Sequence, residues 1–173
     1  IDTGLDKNQL TELGVETGSY VHFYDSNCCF IGSGEFICGK ALDNRLGCYV
    51  LIELTKLLKD NKNEMFYVFT VQEEIGLAGA RTSAYAIDPA WAIEVDTTTT
   101  DDVYSVPTRT LGGGPCLTIK DALMIGNKSI NDWLKNAGKK NGIPFQYDVS
   151  EYGATDALTI SLSRVGIPAT AVS

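Results

Sequence analysis

Histidine is almost missing from this chain: His22 is the only one among 173 residues. It lies in SYVHFYD, an alternating strand-like stretch with no acidic or cysteine partner at metal-ligand spacing, so it reads as a surface or satisfied strand residue. Cysteine is scarce in a different sense. There are five, an odd number, with Cys28 and Cys29 adjacent and no CxxC pair, which does not look like a disulfide framework. A reducing cytoplasm is the simpler setting for such thiols. Positive charge is also short, with 14 Lys and Arg against 22 Asp and Glu and a net charge of -8. Nucleic-acid phosphates would be repelled, whereas local acidic clusters would attract divalent cations. No apolar run approaches the ~20 residues that a membrane helix needs, and IDTGLDKNQL at the amino end lacks the basic and apolar parts of a signal peptide. Neither a membrane nor a nucleic acid is therefore an expected partner. The GGGP stretch at residues 112 to 115 lacks the lysine and following helix of a phosphate-binding loop, which argues against a nucleotide.

What is present suits a globular protein. With 44% hydrophobic and 21% charged residues, the chain can bury the core of one domain, or of one domain with a smaller appendage. It is organised around Met65 to Ala80, MFYVFTVQEEIGLAGA. A continuous apolar run of strand formers ends in Glu73 and Glu74, then turns through Gly76 into a small-residue helical segment. Strands covered by helices on both faces read like this. Ligands of open α/β sheets bind at the carboxyl ends of strands. Two adjacent carboxylates there repel unless a proton or a cation intervenes. A solvated acidic loop is the competing reading of that pair alone.

Lys7 to Leu13 fits a short helix, and residues 18 to 38 carry the short apolar runs VHFY, CCFI and EFIC between turn clusters. That pattern predicts small antiparallel strands or a partial barrel, an accessory or lid region spanning residues 1–39. From residue 40 the period changes. Leu46, Val50, Leu51, Leu54, Leu57 and Leu58 form one helical apolar face. Asp43 or Asn44 stands where that helix starts, and an N-cap is the ordinary role of such a residue. A helix over Leu77 to Ala86 follows, then the strand Trp91 to Val95 ending at Asp96, and a loop from Thr97 to Leu111. Next come a strand at Cys116 to Ile119 and a helical face of Ile130, Trp133, Leu134 and Ala137. The chain closes with a strand at Phe145 to Val149, a helix over Ala157 to Arg164 opened by Thr155 and Asp156, and a strand at Ile167 to Val172. Alternation of this kind over residues 40–173 predicts a three-layer α/β domain, with a largely parallel (mixed) sheet and helices on both faces.

Asp43, Glu73, Glu74 and Asp96 are then expected to converge. Hard oxygen ligands suit Zn²⁺, Mn²⁺ or Co²⁺ in a hydrolytic site. In a two-metal arrangement one carboxylate bridges the ions while another deprotonates water. Adjacent residues of an extended chain point in opposite directions, so Glu73 and Glu74 should do different jobs.

The strings GKALDNRLGC, VFTVQEEIGLAGA, EVDTT, GGGP and YGATDA occur in the order and spacing of the M42 metallo-aminopeptidases, and the chain resembles that family over essentially its whole length. The resemblance implies Asp43 as bridging ligand, Glu73 as general base, Glu74 as ligand to one metal and Asp96 as ligand to the other. It also implies two divalent ions, Zn²⁺ or Co²⁺, peptide substrates cut at the amino end, and a homo-oligomer. The family completes its site with two histidines, one before the lid and one after the last strand. Because this chain begins at IDTG and stops at AVS, the expectation is a catalytic-domain portion with part of the lid, with weak metal affinity and little activity alone. Ala154 in place of the usual glycine and the long loop in EVDTTTTDDVYSVP bear on substrate preference. Two other readings stand beside this one. Some family members are labelled endoglucanases, but a glycosidase needs carboxyls ~5 to 9.5 Å apart across the scissile bond, and adjacent Glu73 and Glu74 suit that poorly. The other is a non-catalytic scaffold on a peptidase fold.

Overall fold

The computed structural model describes residues 2–22, 24, 28–101 and 108–173. It divides into two compact units, Ile1–Lys40 and Ala41–Ser173.

In the first unit, Asp6 starts helix α1 (Lys7–Glu12) with a capping box. Its carboxylate accepts the Asn8 and Gln9 N–H groups at 2.8 and 3.0 Å, while the Gln9 side chain accepts the Asp6 N–H at 2.8 Å. Each end of that box satisfies an amide that the helix leaves unpaired. Strands β1 (Cys29–Ile31) and β2 (Phe36–Cys38) pair antiparallel. All their residues are exposed, and a two-stranded ribbon buries little by itself. The strand expected at VHFY does not form at Val21, His22 or Tyr24, and Phe23 lies outside the described residues.

The second unit contains helices α2 (Leu42–Leu57) and α3 (Ala78–Ile87), strands β3 (Ala92–Val95) and β4 (Cys116–Lys120), helix α4 (Lys128–Lys140), strand β5 (Gln146–Val149), helix α5 (Asp156–Ser161) and strand β6 (Ala169–Val172). Its sheet runs β3-β6-β4-β5. The β3·β6 and β4·β5 pairs are parallel, and the sheet is mixed because β4 meets β6 antiparallel at Leu117 and Val172.

Alternation along β6 sorts the helices between the two faces. Thr170 points to α4, where its hydroxyl meets Asn131 Oδ1 at 2.7 Å and the Asn131 amide donates to the Thr118 carbonyl at 2.9 Å. Ala169 and Ala171 point the other way and pack with Met124 and Ala157 of α5 in the core. Small residues let α4 come close. A Cβ on Gly126 would lie 2.2 Å from the Thr118 carbonyl oxygen.

Two expectations are corrected here. The apolar run from Met65 belongs to no ladder among the described residues, and Met65, Phe66, Phe69 and Val71 are exposed while Tyr67 and Val68 are half-buried. Its last carbonyls instead accept from the start of α3, Val71 from Gly79 at 3.0 Å and Gln72 from Ala78 at 3.4 Å. Composition reports a segment's preference for burial, whereas pairing requires a neighbouring strand in register, and the four strands of this sheet are β3, β6, β4 and β5. The leucine face of α2 is packed only in part: Leu51 and Leu54 are half-buried, whereas Leu46, Val50, Leu57 and, just past the helix, Leu58 are exposed, and Gly47 alone is buried. That helix is anchored at its first turn, where Gly47 lies so close to β3 that a Cβ would sit 2.6 Å from the Val95 carbonyl oxygen.

Candidate active site

The start of α2 separates two neighbouring side chains by role. Asn44 Oδ1 accepts the Gly47 N–H at 2.9 Å, and Asn44 Nδ2 donates to the Val95 carbonyl at 2.8 Å. Asn44 therefore does the capping and ties the helix to the end of β3. Asp43 has non-helical dihedrals (φ -82°, ψ 107°), and the peptide bond to Asn44 is cis. Its exposed carboxylate stands outside the capping arrangement.

Glu73 and Glu74 sit in a turn rather than at the end of an extended strand. The backbone is left-handed at Gln72 (φ 57°), Gly76 (φ 87°) and Leu77 (φ 57°), and the Leu77 N–H closes on the Glu73 carbonyl at 3.2 Å. The alternation expected of the pair is thus replaced by a difference in depth: Glu73 is half-buried and Glu74 exposed. Gly79 allows the turn to fold back, since a Cβ there would meet the Val71 nitrogen at 2.5 Å.

Strand β3 delivers two carboxylates on one side, Glu94 and Asp96, two residues apart. The Asp96 N–H continues the ladder to the Val172 carbonyl at 3.0 Å, and its Oδ1 accepts the Thr97 N–H at 2.7 Å. Glu94 reaches α5, accepting the Asp156 N–H at 2.9 Å and the Ala157 N–H at 3.0 Å. Asp156 in turn accepts the Thr70 hydroxyl on Oδ2 at 2.6 Å.

The electrostatics link these groups. Glu73 is pushed up from 4.5 to about 7, first by burial and then by Asp96, Asp156, Glu74 and Asp43. The charges acting most strongly on it are all carboxylates. Burial also raises Asp96, with the Thr97 N–H opposing and Asp43 and Asp156 adding to the rise. Glu94 is pushed to about 8, mainly by burial, with Asp96 contributing. Burial raises Asp156 against the Thr70 hydroxyl. Each of the four acids named from the sequence thus acts on Glu73 or is Glu73, and Asp156 joins them.

Glu94, Thr70 and Asp156 were not legible as site residues. The available signals were the two-residue spacing of Glu94 and Asp96 on one strand, and the aspartate of YGATDA, which reads as an ordinary helix start. Carboxylate oxygens facing one another in partly desolvated surroundings are the donor chemistry that a hard divalent ion takes up. The residues fit such ions in donor type and in mutual repulsion. The set is open rather than closed: among the described residues, no three His, Cys, Asp or Glu side chains are grouped to hold a metal ion.

The sheet carries acidic residues at the end of β3 and in the turn before α3, and the comparisons name the family. The model of the M42 glutamyl aminopeptidases matches residues 1–173, and the chain belongs to that family. An aminopeptidase structure from Desulfurococcus kamchatkensis superposes with a TM-score of 0.86 at 33% identity, covering 96% of this chain and 48% of that one. The lysyl aminopeptidase of Pyrococcus furiosus is 35% identical over 136 residues, 76% of this chain and 38% of the relative. The TET1 peptidase of Pyrococcus horikoshii, described as assembling into a tetrahedron or a large octahedral shell, matches with a TM-score of 0.71 at 30% identity, covering 86% of this chain and 44% of that one. The chain spans about half the length of the curated relatives it matches. Among the described residues no helix is long and apolar enough to cross a membrane.

Proposed function

We propose that this chain carries the acidic part of a metal-dependent aminopeptidase site that removes amino-terminal residues from peptides. The observation that supports it best is the set of charges on Glu73: Asp96, Asp156, Glu74 and Asp43 come from four separate stretches and all bear on one half-buried carboxyl. Asp43, Glu74 and Asp96 would hold two divalent ions, Zn²⁺ or Co²⁺, with Asp43 between them. The chemistry that such ions supply when bound is polarisation of the scissile carbonyl and acidification of water. Glu73 is the general base. A carboxyl raised to about 7 is poised to take a proton near neutral pH and return it to the leaving amine. Glu74, exposed on the same turn, presents its carboxylate beside that of Glu73. Asn44 keeps Asp43 out of the helix cap, and β3 sets Asp96 against the end of β6.

In the same reading, residues 1–39 are part of a β-rich lid or accessory region and residues 40–173 the catalytic unit, and the intact protein is a cytoplasmic homo-oligomer, as the assembling family members suggest. Its five cysteines are unpaired, which suits a reducing compartment. The test is hydrolysis of aminoacyl anilides by the full-length protein with added Zn²⁺ or Co²⁺. Activity abolished by a chelator supports the peptidase. Cleavage of a β-glucan that survives the chelator would support the glycosidase instead, and no hydrolysis of either would support a scaffold.

A further inference from the structure

One oxygen atom at the acidic edge has no partner among the described residues. Asp156 is 5% exposed, and while its Oδ2 takes the Thr70 hydroxyl, its Oδ1 is buried with no hydrogen-bond partner. A buried carboxylate oxygen left in that state destabilises the fold, so its persistence asks for a ligand.

The surroundings hold the group still. Glu94 spans the first two amides of α5, one oxygen on Asp156 N–H and the other on Ala157 N–H. The N-cap residue Thr155 makes no side-chain capping bond, so a carboxylate from β3 does that work across the sheet. Thr70 fixes one side-chain oxygen and Glu94 fixes the backbone, which leaves Oδ1 as the uncommitted acceptor. The two residues that hold it lead to the site carboxyls: Thr70 lies three residues before Glu73, and Glu94 shares one side of its strand with Asp96, two residues on.

We propose that Asp156 is a positioning residue of the acidic site, clamped by Thr70 and Glu94 so that its buried Oδ1 serves a divalent cation held by Asp43, Glu74 and Asp96. This rests on the cation-site reading above and extends it to a residue whose ordinary role is to begin a helix. Outer acceptors of this kind tune affinity by about tenfold to a hundredfold. A purely structural Asp156 makes the opposite prediction for the cation-free protein, since losing a useful tie lowers stability. Removing an uncompensated buried charge leaves stability unchanged or raises it.

The experiment titrates the protein with Mn²⁺ alone, reading free ion by electron paramagnetic resonance, and melts the chelated protein by circular dichroism. Asp156→Asn, which keeps an oxygen for Thr70, is expected to weaken Mn²⁺ binding by about tenfold or more, with the chelated melting temperature unchanged or higher. Thr70→Val releases the clamp and should weaken binding by a smaller factor. If Asp96→Asn abolishes binding while Asp156→Asn binds as the parent does, the proposal for Asp156 is overturned and the cation site stands. A lower chelated melting temperature in Asp156→Asn, with Mn²⁺ affinity unchanged in Thr70→Val, assigns Asp156 a structural role and likewise overturns it. If the parent protein binds no Mn²⁺ at millimolar concentration, the site reading itself fails and the proposal falls with it.

Discussion

Arg109 and Asp148 form an ion pair at 2.5 Å with side chains only 12% and 8% exposed. The same carboxylate accepts the Thr98 hydroxyl at 3.1 Å, so the segment just after Asp96 is tied to β5. A buried pair is a weak source of net stability, but breaking it strands the surviving charge. Asp148→Ala should therefore cost about 3 to 5 kcal/mol in urea denaturation. A loss below about 1 kcal/mol would mean that water reaches Arg109.

The raised carboxyls give the chelated protein a definite pH dependence. Glu73 at about 7 and Glu94 at about 8 bind protons more tightly folded than unfolded. Their favourable contribution is complete below about 4.5 and is lost as pH rises through 7 and 8. Denaturation midpoints in chelator should fall across that window, and saturating divalent cation should flatten the decline. Midpoints that rise between pH 5 and 8 in chelator would contradict the burial assigned to these two groups.

Gly47 is a backbone contact rather than a flexible spot. A methyl there would meet Asn44 Oδ1 at 2.3 Å and the Val95 carbonyl oxygen at 2.6 Å, and neither a capping side chain nor a strand end yields easily. Gly47→Ala should cost about 1 to 3 kcal/mol and should shift Asp43 relative to Asp96. Calorimetry of Mn²⁺ binding checks the second effect. Parent-like affinity in a destabilised variant would separate packing from the site.

Roles within the acidic set are separable. Glu73→Gln in the full-length protein is expected to lower kcat by about a hundredfold to ten-thousandfold with cation binding retained. Asp96→Asn should lose the cation itself. Equal loss of affinity in both would show that Glu73 is a ligand and not the base.

How far the sequence could be read depended on what each signal encodes. The strands at Ala92–Val95 and Cys116–Lys120 were visible because burial between helices writes itself as an apolar run. Met65 to Val71 carries the same composition yet pairs with no strand among the described residues, since a ladder belongs to two segments and a single segment cannot announce its neighbour. Asp43 and Asn44 were indistinguishable as caps until Asn44 was seen bonding Gly47. Glu94 and Asp156 were hidden for a related reason. Their meeting joins residues 62 positions apart, and an aspartate before a helix has an ordinary local explanation.

The single antiparallel register between β4 and β6 at Leu117 and Val172, flanked by the reciprocal Cys116 and Ser173 bonds at 2.6 and 2.9 Å, leaves two parallel pairs joined along a narrow seam. Protection from deuterium should therefore be graded across the sheet, with the Cys116 and Ser173 amides exchanging ahead of those that stitch β3 to β6. The half bearing Asp96 and α5 would then open as a unit of its own.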